Sequence, residues 1–144
     1  MKISTKSRYA LEALLYMALY SPDEAISIKR IAAETGISEK YLEQIFLGLR
    51  RAGILETVRG AKGGFLLALK PDEISVGRIL RTFEKNMEPV VCVGDLSQCK
   101  SSVRATCVTR RLWIQMYDSV SEIIDTVTLE TLMRRYREEQ EALS

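Results

Sequence analysis

The chain has 144 residues, 47% hydrophobic and 28% charged, with a net charge of +2 and no histidine. That length makes one domain of ordinary size, or a small domain with an appendage, and the apolar share suffices for a core. Without histidine, Ser–His–Asp catalysis, Cys–His catalysis and histidine-ligated metal sites are excluded.

In chain order, Lys6 to Tyr20 reads as a first helix, with Thr5 as N-cap and Tyr9, Ala13, Leu14, Met17 and Ala18 on its inner side. Its apolar run is short and contains Glu12, so a buried helix is expected rather than a membrane span. Ser21-Pro22-Asp23 breaks it. Ser27 then caps a short helix with Ile28, Ile31 and Ala32 on its apolar face, and Gly36 stops it, because glycine enters the left-handed conformation without steric cost. Ser38 caps a second helix running to about Arg51, closed by Gly53, with Glu39 in the first turn where the helix dipole favours an anion. Helix, glycine turn and serine-capped helix form the pattern of a helix-turn-helix.

Leu42, Ile45, Phe46 and Leu49 make one apolar stripe on the second helix. Opposite lie Lys40, Gln44, Gly48 and Arg51, with Ser38 and Tyr41 near the start and Glu43 on a flank. A groove-reading helix needs such a face: amide and carboxylate for base edges, cations for phosphates, and a small residue for close approach. The bland alternative is a solvated amphipathic face. Two strand-like runs follow, Ile54–Val58 and Phe65–Leu69, joined by Arg59-Gly60-Ala61-Lys62-Gly63-Gly64. A glycine-rich hairpin tip with two cations suits a wing, and a narrow minor groove attracts arginine. Charge divides in the same sense. Residues 1–70 hold 11 Lys/Arg and 7 Asp/Glu, whereas residues 71–144 hold 10 and 12. The basic excess lies with the helix-turn-helix, as phosphate binding requires.

Lys70-Pro71-Asp72 is the next break. Ser75 caps a helix from Val76 to about Lys85, with Val76, Ile79, Leu80 and Phe83 on one face, expected as a support under the winged helix. Met87 to Thr106 has no helical period and holds Cys92 and Cys99, with Cys107 at its far edge. From there Val108, Leu112, Met116, Val120, Ile123 and Val127 recur at steps of three or four, predicting a long helix to about Thr126. Such a stripe suits packing against its copy in a two-fold dimer, or against the first helix of its own chain. Thr128 caps a last helix, Leu129 to about Ala142, whose Arg134-Arg135-Tyr136-Arg137 run reads as a solvated face.

The cysteine spacing is C-x6-C-x7-C, neither the paired C-x2-C of a zinc ribbon nor the tandem short spacing of a ferredoxin. An odd number of cysteines, with no export signal read at Met1, argues for a reducing cytoplasm rather than a disulfide framework. A loop can wrap three thiolates around a metal centre, and soft thiolates suit an iron–sulfur cluster.

Several stretches carry a family resemblance. Met1-Lys2-Ile3-Ser4-Thr5-Lys6-Ser7-Arg8-Tyr9-Ala10, Ile37-Ser38-Glu39-Lys40-Tyr41-Leu42-Glu43-Gln44-Ile45-Phe46 and Val58-Arg59-Gly60-Ala61-Lys62-Gly63-Gly64-Phe65, with the later Cys92, Cys99 and Cys107, resemble the IscR-type family of bacterial winged-helix regulators. The resemblance implies a dimeric transcription regulator, often with a cluster held by three cysteines and one other ligand; members without a cluster exist. It also places the N-terminal segment near the partner subunit and the DNA backbone, making Lys6 and Arg8 phosphate contacts or plain surface cations. The chain departs from the family at the fourth ligand. Arg110 stands where the well-known branch has histidine, and Arg8 where another branch has an acidic residue. Guanidinium stays protonated and ligates iron poorly. Glu88, Asp95, the more distant Glu12, a loop serine or water remain as candidates, with 2Fe–2S slightly ahead of 4Fe–4S.

The sequence therefore predicts a mainly α fold with a small β-hairpin wing. Residues 1–85 form a winged helix-turn-helix, 86–107 a cysteine-containing sensor loop, and 108–144 the dimerisation and C-terminal helices. The expected function is a cytoplasmic homodimeric regulator of a near-palindromic double-stranded operator, neither enzyme nor membrane protein. Its candidate DNA contacts are Lys6, Arg8, Ser38, Lys40, Tyr41, Glu43, Gln44, Arg51, Arg59 and Lys62, and its candidate cluster ligands are Cys92, Cys99 and Cys107. A cluster-free regulator controlled by thiol oxidation or a partner protein is the alternative, with a winged-helix interaction module that does not read DNA behind it.

Overall fold

The computed structural model describes residues 1–98 and 107–144. Helix α1 spans Thr5–Tyr20 and buries Ser7, Ala10, Ala13, Leu14, Met17 and Ala18. Its N-cap is Ser4 rather than Thr5: the Ser4 hydroxyl accepts from the Ser7 backbone N–H at 3.2 Å. Tyr9 is only half-buried, and its ring stands edge-on to Tyr41 with centroids 5.6 Å apart.

The helix-turn-helix forms as its caps dictate. Helix α2, Ile28–Thr35, is capped by Ser27 and ends at Gly36 with φ +77°. Helix α3, Glu39–Arg51, starts at Ser38, whose hydroxyl accepts from the Tyr41 N–H at 3.2 Å. Strands β1, Leu55–Val58, and β2, Gly64–Leu67, pair antiparallel, with Leu55 opposite Leu67 and Val58 opposite Gly64. The ladder is shorter than the apolar runs because Ile54 and Leu69 turn into packing against the core. Ile26 extends the hairpin base by a two-bond bridge with Phe65, N–H to carbonyl both ways at 2.9 and 2.8 Å. Gly64 is required there, since a Cβ at this position would strike the Ile26 carbonyl, and its φ is +152°.

Helix α4, Val76–Phe83, is capped by Ser75 and ends two residues earlier than its apolar spacing suggests. Glu84 leaves the helix in an extended conformation, and its side chain crosses to α1. One oxygen of that carboxylate accepts from the Ser4 N–H at 2.7 Å, the Ser4 hydroxyl at 2.6 Å and the Ser7 hydroxyl at 2.6 Å. Ser7 is the only polar side chain fully buried among the described residues, and this bond satisfies it.

After a single turn, α5 at Val91–Gly94, the described chain resumes in α6, Val108–Thr126, and ends in α7, Leu129–Leu143. The main core joins α1, α2, α3, the hairpin base, Ile79 of α4, and Leu129 and Met133 of α7. Arg134, Arg135 and Arg137 face solvent, while the Tyr136 hydroxyl meets that of Tyr20 at 2.7 Å. Leu80, Met87 and Ile124 form a second, smaller cluster with Val76, Tyr117 and Val120 against it. Helix α6 thus packs on α4 and α5 rather than on α1. Gly77 lets the helices meet, because a Cβ there would collide with the Asp125 carboxylate, which is ion-paired to Arg81. No described helix is long and apolar enough to cross a membrane.

The three serine donors hold the Glu84 carboxyl below its ordinary range. A depressed carboxyl contributes stability that is complete above its unfolded pKa and is lost as pH falls through the folded one. Glu84→Gln is therefore expected to lower the melting temperature at neutral pH, with the gap to the unaltered chain closing in acid. Melting curves across the acid range check this, and a gap independent of pH would show that charge is not what holds the serines.

Candidate nucleic-acid interface

Burial fixes how α3 is turned. Leu42, Ile45, Phe46 and Leu49 have no exposed surface, so Lys40, Glu43, Gln44 and Arg51 face solvent together. The Ser38 hydroxyl is committed to its cap, and the Tyr41 ring leans on Tyr9, so these two line the start of the face with little freedom. Gly48 has a different role from the one its place opposite the apolar stripe suggests. A Cβ there would lie 2.8 Å from Phe83, so the missing side chain admits α4 rather than a groove. Arg78 of α4 also donates to the Ala52 carbonyl at the end of α3, at 3.4 Å.

The hairpin tip projects from the same half of the chain. Gly60 takes φ +111°, and the Gly63 N–H donates to the Gly60 carbonyl at 3.0 Å, which closes the tip into a tight turn. Gly63 is enforced by backbone, since a Cβ would meet the Val58 carbonyl. Arg59 and Lys62 are both exposed on this turn. The hairpin base holds Phe65 edge-on against Phe46, with centroids 5.0 Å apart, and so ties the wing to the buried side of α3.

Two grooves flank α3 and the wing. One, of about 500 Å³, runs between the first turn of α1, the outer face of α3 and the end of α4, and brings Lys6, Gln44 and Arg51 together beside Phe83. The other, of about 680 Å³, lies between the start of α2 and the wing, lined by Arg30 and Lys62 among others. Arg30, absent from the sequence-derived candidates, stands in the first turn of α2, and the first helix of helix-turn-helix proteins in general crosses the DNA backbone, which was the available signal. Arg8 is exposed on α1 and does not line either groove.

Of the three cysteines, Cys99 lies outside the described residues. Cys92 sits in α5, Cys107 is the residue before α6, and both are half-buried free thiols. Arg110 links them: its Nε donates to the Cys92 carbonyl at 2.9 Å. The Cys107 thiol lies 3.1 Å from the Thr109 hydroxyl. That contact, the Arg110 backbone N–H and the guanidinium charge lower its pKa. Among the candidate fourth ligands, Asp95 spends its carboxylate on Ser97 at 2.9 and 2.6 Å, Glu88 lies against Gly94, and Glu12 is on the exposed side of α1. Among the described residues no three His, Cys, Asp or Glu side chains converge at metal-binding distance. By donor type the thiolates suit a cluster; by geometry the described residues do not complete one.

This architecture has known counterparts. The profile of the Rrf2 family, described as iron-dependent transcriptional regulators, matches residues 3–135. The HTH-type transcriptional regulator CymR of Bacillus subtilis (strain 168) is 40% identical over 142 residues, 99% of this chain and 96% of that one. Its solved structure, described as that of the global cysteine regulator, matches with a TM-score of 0.80 over 94% of this chain and 98% of that one. T. potens IscR matches with a TM-score of 0.78 at 34% identity, over 97% and 91% of the two chains. An oxidized form of Staphylococcus aureus CymR matches at 0.71 and 38% identity, over 92% and 96%. These relatives are regulators of transcription, not enzymes, and with a matching family profile, helix-turn-helix and wing, the chain belongs to the Rrf2 family of DNA-binding transcriptional regulators.

Proposed function

We propose that two copies of the chain pair through α6 and bind a near-palindromic duplex operator, each entering the major groove with α3 and the adjacent minor groove with the wing. The carrying observation is the outward face of α3, where Lys40, Glu43 and Gln44 are exposed because four apolar neighbours are wholly buried. Gln44 pairs with adenine, and Glu43 accepts from the cytosine amino group and penalises bases that lack that donor. Lys6, Lys40, Arg51 and Lys62 neutralise phosphates, with Arg8, Ser38 and Tyr41 as flanking backbone contacts, and Arg59 enters the minor groove.

Pairing is supported by what the chain leaves uncovered. Val108, Leu112, Met116 and Ile123 are 74%, 50%, 43% and 59% exposed on one stripe of α6. Burying what remains exposed gains a share of the about 1.5–3 kcal/mol that a fully exposed side chain of this kind gains, so a second copy of the stripe is the matching cover.

The segment bearing Cys92, Cys99 and Cys107 is the sensor, and it joins the head of α6. An iron–sulfur cluster, 2Fe–2S or 4Fe–4S, would be held by those three cysteines and would supply a redox- and iron-dependent charge there. The surroundings of Cys107 favour a second reading, direct thiol oxidation: the Thr109 hydroxyl, with the Arg110 N–H behind it, lowers the Cys107 pKa, and the Arg110 side chain anchors the Cys92 turn. The oxidized form of the S. aureus relative is consistent with that reading.

Three outcomes follow. With a duplex selected from a random pool, Gln44→Ala is expected to cost about 1–3 kcal/mol and to relax preference at a single base pair. Lys62→Ala should instead weaken binding to all sequences and flatten the salt dependence by about one phosphate contact, whereas Arg59→Ala should cost most on duplexes whose minor groove beside the half-site is narrow. Fluorescence anisotropy across a salt series reads both, and salt-independent binding would sink the DNA-reading proposal.

Leu112→Glu with Met116→Glu should convert the dimer to a folded monomer in sedimentation equilibrium. An unchanged mass would place the interface elsewhere.

Anaerobically purified protein, assayed for visible absorbance, iron and sulfide, separates the two sensors. Stoichiometric iron and sulfide, abolished when all three cysteines become alanine, selects the cluster. A colourless protein after reconstitution, whose DNA affinity changes reversibly with oxidant, selects the thiols.

A further inference from the structure

Glu84 lies outside the reading face, yet it ends at the edge of it. Its Oε1 holds the Ser4 N–H and the hydroxyls of Ser4 and Ser7, at 2.6 to 2.7 Å, across 77 to 80 residues of sequence. These bonds close on the first turn of α1, which carries Lys6. The residue before it, Phe83, is seated on Gly48 of α3. Phe83 and Lys6 both line the groove that also holds Gln44 and Arg51.

A bare carboxylate beside a phosphate-binding groove repels DNA, so its charge has to be used locally. Three donors on one oxygen use it, and they are charge-assisted bonds, roughly twice as strong as neutral ones. The charge also stands at the N-terminus of α1, where the helix dipole favours an anion. Lys6 has no carboxylate partner among the described residues, so its ammonium stays available to a phosphate.

We propose that Glu84 is a positioning residue for DNA binding: it clamps the first turn of α1 to the end of α4, and through Phe83 on Gly48 it sets Lys6 at a fixed offset from Gln44 on the recognition helix. This rests on the DNA-binding reading above. The alternative is an unclamped first turn of α1 whose lysine must be ordered anew on each binding event, which costs side-chain and backbone entropy.

The test is a double-mutant cycle on the selected duplex, with affinity measured across a salt series. Glu84→Ala is expected to weaken binding about tenfold and to make the salt dependence shallower by about one phosphate contact. In a Lys6→Ala background it should change neither, because the contact it positions is already gone. Glu84→Gln keeps the accepting oxygen and the side-chain volume, and should lose less; it serves in the cycle if the alanine variant does not fold. The proposal is overturned if Glu84→Ala, folded at the assay temperature by circular dichroism, keeps the original salt dependence. Losses that add in full to those of Lys6→Ala overturn it too, since they would mean that Glu84 only stabilises the fold. If the unaltered chain shows no salt-dependent binding, while Gln44→Ala and Arg59→Ala are equally silent, the DNA-binding reading itself has failed and this inference falls with it.

Discussion

Four side chains on one stripe of α3, Leu42, Ile45, Phe46 and Leu49, are sealed from solvent, and the geometry around them follows from that burial. A helix anchored on four consecutive core positions cannot rotate about its axis without exposing a leucine or phenylalanine, at a cost of about 1.5–3 kcal/mol each. The outward direction of Lys40, Glu43, Gln44 and Arg51 is thus a packing result before it is a functional one. The same stripe carries the wing, because Phe46 meets Phe65 edge-on and the hairpin base is bridged to Ile26. Helix α3 and the hairpin are consequently packed into one unit.

Helix α4 is the element that joins this body to the rest. On one side it gives Phe83 to Gly48 and the Arg78 guanidinium to the Ala52 carbonyl, both on or at the end of α3. On the other it shares Leu80 with Met87 and Ile124, and Arg81 with Asp125, both contacts reaching α6. The Arg81–Asp125 pair is more than two-fifths exposed, so solvent screening leaves it a modest contributor; the close approach allowed by Gly77 and the apolar cluster carry more of that interface. Eight residues thus contact α3 and α6 at once. A helix that short is marginal by itself and exists because both sides are packed.

The cysteine segment meets α6 at its head, where the sequence puts arginine in place of a metal ligand. The Arg110 side chain ties the Cys92 turn to the first turn of α6 through a backbone carbonyl. The Cys107 thiol alone is drawn toward its anionic form, first by the Thr109 hydroxyl and then by the Arg110 N–H, a property useful to cluster ligation and to thiol oxidation alike.

What the sequence determined alone was whatever depends on neighbours along the chain. Ser27, Ser38 and Ser75 as caps, Gly36 as a stop, the stripe of α3, the limits of α6 and the basic hairpin tip are all local, since caps and periodicity act over three or four residues. The outward stripe of α6 was legible for the same reason, although its own-chain partner was not: α4 takes that place rather than α1. Tertiary structure decided what depends on residues far apart. Ser4 displaces Thr5 as the cap because Glu84 arrives from 80 residues away to hold it, and α4 stops at Phe83 because Glu84 is drawn out of the helix. Gly48 looks like a gap for DNA in the helix pattern and is filled by Phe83 in the fold. Periodicity identifies which face of a helix is polar, but only packing determines which of those polar or small residues meets another helix and which remains free to meet a ligand.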